Sequence, residues 1–165
     1  LIGIAIVMPK RGFDQFLRIS CEIGVDIIQP LFSDRSFSTG EIKGSRCDAI
    51  LSEAVEQSER LWKPKVLEVR NFEDWCNDQP MNSKSCFALT RLKKIKDFHE
   101  CIYDLDEGIN QLWVSIGPEG GWTNDEITLA RKKELEFVRL GDSILTTSTA
   151  AIVATQIMVH CRENI

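Results

Sequence analysis

Two glycine-bearing runs carry the residue types best suited to holding a ligand against the backbone: Gly117-Pro118-Glu119-Gly120-Gly121 and Leu140-Gly141-Asp142-Ser143-Ile144-Leu145. Glycine has no Cβ, so Gly117, Gly120, Gly121 and Gly141 permit close approach to main-chain N–H and C=O groups. Pro118 fixes its own φ and lacks an N–H, which stiffens the turn. Glu119 has the chemistry to bind a hydroxyl or to face solvent, and the residues alone leave both open. A separate constellation, Glu53, Gln57 and Arg60, falls at i, i+4 and i+7, so on a helix these side chains share one face. By residue type alone that face is a solvated polar stripe.

The elements that must position these residues follow from local pattern. Leu112 to Ile116 reads as a short buried strand, and Thr123 with Glu126 is a capping-box signature for a helix running through Ala130 to about Glu134. The first glycine loop therefore sits at the carboxyl end of a strand, the edge where open α/β sheets bind ligands. The rest of the chain alternates in the same way. Strands are expected at Leu1 to Val7, Val25 to Leu31, Val66 to Val69, Ser85 to Leu89 and Phe137 to Leu140. Helices are expected around Asp14 to Ile23, Arg46 to Leu61, Phe72 to Cys76, Lys96 to Leu105 and Thr147 to Cys161. This alternation implies an α/β fold with a mostly parallel sheet flanked by helices on both faces.

Composition bounds the function. A chain of 165 residues with 43% hydrophobic content suits one domain, and at that size roughly 70% of the unfolded surface can be buried. The apolar opening run, Leu1 to Met8, ends at Pro9-Lys10-Arg11, too short to span a bilayer and lacking the basic segment that precedes a signal peptide's core. No membrane association is expected. The cysteines at 21, 47, 76, 86, 101 and 161 have no metal-ligand spacing, and His99 and His160 each lie alone near one of them, so a reduced, cytoplasmic setting without a metal site is expected. The net charge of −5 argues against a strongly basic nucleic-acid module. Lys84, Arg91, Lys93, Lys94 and Lys96 nevertheless form a local basic stretch, a candidate RNA track or a solvated face.

The Gly-Pro-Glu-Gly-Gly run, followed by Leu-Gly-x-x-Ile-Leu and a Thr-Ala helix start, resembles the ribosomal RNA small-subunit methyltransferase E family of the SPOUT superfamily. The likeness extends upstream through Pro9-Lys10, Glu22-x-Gly24-Val25, Pro30-Leu31-Phe32-Ser33, the run Glu53 to Arg60, and Pro64. It implies a SPOUT-type domain over residues 1–165 with a C-terminal trefoil knot, and it implies that the family's N-terminal RNA-binding barrel is absent here. The implied reaction is methylation of a small-subunit rRNA uridine at N3 by S-adenosylmethionine, performed by a homodimer whose last helix, with Ile152, Val153, Ile157 and Met158, serves core and interface alike. A cofactor with an adenine, a ribose and an amino-acid tail wants an apolar slot with backbone donors. On the resemblance that slot is formed by Leu89, Ile116, Gly117, Glu119, Gly120, Gly121, Leu140, Gly141, Ile144, Leu145 and Thr149. The family's Glu-Ala-x-x-Gln-x-x-Arg pattern turns the helical stripe into a nucleotide-positioning face, with Lys10, Glu53, Gln57 and Arg60 as substrate-binding candidates and Arg60 and Arg91 as catalytic ones.

This chain departs from the family where Ser143, Thr146 and Ser148 replace arginine, arginine and glutamate. The alternative reading is therefore a catalytically degenerate RNA-binding or ribosome-assembly module. A dinucleotide-binding fingerprint would need Gly-x-Gly-x-x-Gly after the first strand, which Gly3 and Gly12 do not supply, and Lys43-Gly44-Ser45 has the wrong order for a P-loop.

Overall fold

The computed structural model describes residues 1–36, 42–90, 95–103, 105 and 108–162. Its strands are β1 (Ile2–Val7), β2 (Ile27–Phe32), β3 (Lys65–Val66), β4 (Arg70–Asn71), β5 (Ser83–Ala88), β6 (Lys96–Asp97), β7 (Gln111–Ile116) and β8 (Glu136–Arg139). Its helices are α1 (Phe13–Ile23), α2 (Gly44–Gln57), α3 (Phe72–Asn77), α4 (Phe98–Tyr103), α5 (Asn124–Lys132) and α6 (Thr147–His160). The strands form one parallel sheet in the order β3-β2-β1-β7-β5-β8-β6, with β4 also on β2. Two expected elements differ: in place of the strand expected at Val66 to Val69 there are two short pairings, one ending at Val66 and one starting at Arg70, and the helix expected from Lys96 begins only at Phe98, after the two residues of β6.

β1 is apolar and buried at every position because both faces of the sheet are covered there. On β1, Ile2, Ile4 and Ile6 point into a core shared with α1, α2, α4 and α6, while Ala5 and Val7 point into a second core beneath α3 and α5. On the second face Trp113 of β7 lies over Gly3, where a Cβ would stand 2.4 Å from the indole, so that position has room for glycine alone. Phe16, Leu17, Ile28 and Met158 are fully buried in the larger core, and each is worth about 1.5–3 kcal/mol by apolar transfer. All six cysteines are unpaired and buried. Cys86 on β5 and Cys101 on α4 share a thiol hydrogen bond at 3.6 Å between sulfurs and form no disulfide.

The helix that carries Glu53 and Gln57 ends at Gln57. Glu59 takes φ +54°, and the Arg60 N–H returns to the Val55 carbonyl at 3.1 Å, closing the helix with a left-handed residue. Arg60 therefore leaves the face expected from i, i+4 and i+7 spacing.

Candidate functional site

The carboxyl ends of β5, β7 and β8 open onto one cleft of about 270 Å³. Its polar edge is the 117–121 loop, tightened by a Gly121 N–H bond to the Pro118 carbonyl at 2.8 Å, with Gly121 at φ +72°. A Cβ on Gly121 would meet no atom within 4 Å, so the glycine keeps space open above the main chain. Leu140 and Leu145 face this loop from the turn after β8, and Leu89 continues β5 into the same space. Behind them Trp122 lies against Phe87, ring centroids 4.7 Å apart, and donates its indole N–H to the Ala88 carbonyl at 3.2 Å.

One hydrogen bond ties the start of α6 to the glycine loop. The Thr147 hydroxyl, buried at the start of α6, donates to the Gly117 carbonyl at 2.9 Å. The N-terminus of α5 is fixed by its capping box: Thr123 N–H donates to Glu126 Oε2 at 2.7 Å, and Glu126 N–H returns to Thr123 Oγ1 at 3.3 Å. The turn after β2 is latched onto this box, with the Asp34 N–H on Glu126 Oε1 and the Thr123 hydroxyl on Asp34 Oδ2.

Most of the slot expected from sequence converges. Leu89, Ile116, Gly117, Glu119, Gly120 and Gly121 line the cleft, as do Leu140, Ile144 and Leu145. Gly141 and Thr149 do not. Gly141, at φ +134°, makes the turn that carries Ile144 and Leu145, and the Thr149 N–H is spent on the Thr146 hydroxyl that caps α6. Glu119 accepts the Lys10 N–H at 3.2 Å, which brings the substrate candidate Lys10 to the rim. Sequence reasoning missed Arg35, Trp122, Ile127 and Thr147, all of which line the cleft. Thr147 carried a visible signal, a hydroxyl one residue past the α6 cap, but its partner 30 residues earlier in the chain is set by tertiary packing.

The helical stripe is corrected by the structure. Glu53 pairs with Arg18 of α1 at 2.8 Å, and the hydrogen bond from that guanidinium holds the Glu53 carboxyl below its ordinary pKa. Gln57 is exposed on the same flank. The Arg60 guanidinium reaches the carbonyls of Cys21 and Val25 and stacks 5.3 Å over Trp62, so it closes the amino edge of the sheet, opposite the cleft. In a single chain these residues do not meet the loops. Arg91, Lys93 and Lys94 lie outside the described residues. Lys84 bonds Glu136 at 2.8 Å, and Lys96 lies 3.9 Å from the same carboxylate, so the basic stretch is partly neutralised. Met158, expected to serve core and interface alike, is completely buried in the core. Among the described residues no helix is long and apolar enough to cross a membrane, and no three His, Cys, Asp or Glu side chains converge on a metal-sized site.

An apolar slot edged by main-chain groups, with Arg35 and Glu119 as its only charged lining among the described residues, suits a partly aromatic ligand with a polar tail. Comparison with known proteins gives that slot a context. Residues 1–159 match the RNA methyltransferase domain family. The chain is 33% identical over 156 residues to the ribosomal RNA small subunit methyltransferase E of Synechocystis, covering 93% of this chain and 51% of that protein. It is 30% identical over 152 residues to the enzyme of the same name from Rickettsia conorii, covering 89% and 60%. The fold superposes with a TM-score of 0.83 and 27% identity on the Neisseria gonorrhoeae ribosomal RNA small subunit methyltransferase E bound to S-adenosyl methionine, covering 95% of this chain and 64% of that one. The chain thus spans about half to two thirds of the length of these relatives.

Proposed function

The chain belongs to the RNA methyltransferase domain family, and from that premise we propose that it binds S-adenosylmethionine in the cleft and transfers its methyl group to a base of small-subunit ribosomal RNA. The observation that carries this reading is the convergence of the 116–121 loop, the 140–145 turn and the end of β5 on one apolar slot. The residues fit the cofactor: Leu89, Ile116, Leu140 and Leu145 offer walls to the adenine, and the space beside Gly121 lets it approach the main chain of the loop without steric cost.

S-adenosylmethionine, when bound, supplies an electrophilic methyl group on a sulfonium. The chain's own task is to hold donor and acceptor in line and to keep water out, which is where a positioned site gains rate over solution. Thr147 fixes the Gly117 carbonyl, and Trp122 backs the slot so that the loop cannot relax inward. Glu119 stands at the mouth with Lys10, within reach of an incoming nucleotide. Arg91 follows Thr90, which lines the cleft, and remains the proposed arginine of the reaction centre.

The finer reading takes uridine N3 as the acceptor, a C-terminal trefoil knot, a homodimer and a cytoplasmic setting. The half-buried Ile152, Val153 and Ile157 on α6 support the dimer, and six unpaired cysteines support a reducing compartment. Calorimetry with S-adenosylmethionine, followed by incorporation of labelled methyl into unmodified small-subunit RNA, tests the reading. Micromolar binding and methylated uridine are expected. Absence of binding would overturn it, and binding without incorporation would leave a catalytically degenerate module.

A further inference from the structure

We propose that Arg35 holds a backbone phosphate of the RNA at the mouth of the cleft; this rests on the function proposed above and names a contact that positions its substrate. Arg35 is the sole cationic side chain among the described cleft-lining residues. It is exposed, and its aliphatic stem lies flat on the glycine loop: a Cβ on Gly120 would stand 3.4 Å from the Arg35 Cβ and Cδ. Its Nη1 donates to the Gly120 carbonyl at 2.9 Å, which uses one of a guanidinium's five N–H donors and orients the planar head over the rim.

The turn that carries Arg35 is itself braced. The Ser36 N–H bonds the Ser33 carbonyl, the Ser33 N–H bonds Ser36 Oγ, and the neighbouring Asp34 is latched onto the α5 cap at both its N–H and its carboxylate. An arginine held at both stem and turn loses little further entropy when it grips an anion. The rim extends in the same sign. Lys10 and Arg11, both exposed, follow β1, with the Lys10 N–H on Glu119 and the Arg11 carbonyl accepting from Ser148 at the start of α6. Carboxylates flank this rim too, but Asp34 is engaged by Thr123 and Glu119 by the Lys10 main chain. The walls inside the slot are mainly apolar, so an anion drawn to Arg35 sits at the solvent side, where a polynucleotide backbone passes. In a chain of net charge −5 this edge offers a phosphate a fixed positive charge beside the cleft.

The experiment measures fluorescence anisotropy of a labelled single-stranded fragment of small-subunit rRNA against the protein and its Arg35→Gln, Arg35→Lys and Lys132→Gln variants, at several salt concentrations. Calorimetry with S-adenosylhomocysteine runs on each. R35Q should weaken RNA binding about tenfold and lower the salt slope by about one, as for loss of one phosphate contact. R35K should recover part of that affinity. K132Q, an equal charge change on exposed α5, should alter it little. S-adenosylhomocysteine affinity should be unchanged in K132Q and should fall far less than RNA affinity in R35Q. Unchanged RNA affinity in R35Q overturns the proposal, as does a loss confined to S-adenosylhomocysteine, which would assign Arg35 to a ligand carboxylate. A wild-type protein that binds RNA through Arg35 but no S-adenosylhomocysteine would sink the methyltransferase reading and leave the phosphate contact standing.

Discussion

The hydroxyl of Thr147 and the carbonyl of Gly117 are joined by a 2.9 Å hydrogen bond that ties the start of α6 to the loop after β7. Both residues line the cleft, so the bond sets the distance between its walls. Thr147→Val keeps the volume and removes the donor. It should cost about 1 kcal/mol, because a half-buried carbonyl loses its partner, and should weaken S-adenosylmethionine binding more than Thr147→Ser, which restores it. Thermal melts and calorimetry on the pair of variants check this.

Gly117 and Gly141 respond differently to valine. A Cβ at Gly117 would stand 2.7 Å from the Trp122 indole nitrogen, so Gly117→Val must displace a ring packed on Phe72 and Phe87. Loss of ligand binding together with a lowered melting temperature is expected. Gly141 has open space but φ +134°, so Gly141→Val meets backbone strain of about 1–3 kcal/mol without a clash. Circular dichroism should show it folded, with calorimetry showing weakened binding.

The replaced charges cannot all be restored at equal cost. Ser143 is exposed and accepts arginine freely. Thr146 caps α6 by accepting the Thr149 N–H, so Thr146→Arg should cost about 1 kcal/mol. Ser148 Oγ lies 2.8 Å from where a Gly12 Cβ would stand, leaving little room for glutamate on the α1 side. If the charges act on the transition state, wild-type methyl incorporation should be slow while cofactor affinity is ordinary, and Ser143→Arg should raise kcat without changing Kd. Single-turnover methylation separates the two. No gain in any variant would favour the non-catalytic module.

Met158→Asp should unfold the domain, since its side chain is completely buried. Val153→Asp, on the half-buried flank of α6, should instead convert a homodimer to a monomer with its melting transition kept. Light scattering of both variants tests the dimer. A wild-type mass of 18.8 kDa at micromolar concentration would refute it.

Burial pushes the Cys76 thiol from its ordinary value near 9.0 up to about 11. The folded state therefore holds the thiol proton more tightly than the unfolded chain does. The stabilisation is complete below pH 9 and falls as pH rises towards 11, by roughly 2–3 kcal/mol in total. Cys76→Ala should flatten denaturation midpoints across that window, at the price of a constant loss from the cavity it leaves.

What sequence could and could not convey follows from the range of the interactions involved. The capping box at Thr123 and Glu126, the glycine loops and the alternation of elements are local, and they emerge in the expected order, although the helix expected to run to Leu61 stops at Gln57. Arg60 leaves the face that helical spacing predicts because that spacing assumes that the helix continues, whereas Glu59 adopts a left-handed φ of +54° and turns the chain. The pairing of Lys84 with Glu136 brings together residues far apart in sequence and depends on β5 lying beside β8. Arg35 escaped notice for the same reason: its contact with Gly120 bridges 85 positions and arises when β2 and β7 flank β1.

Trp122 belongs at once to the cleft and to the apolar core beneath α3 and α5. Anything that loosens that layer also dismantles the binding surface, and anything that fills the cleft clamps the layer. Ligand occupancy should consequently slow amide hydrogen exchange well beyond the loops it touches, on α3 and α5 as far as Ala130, because recognition and this part of the folding unit share one indole ring.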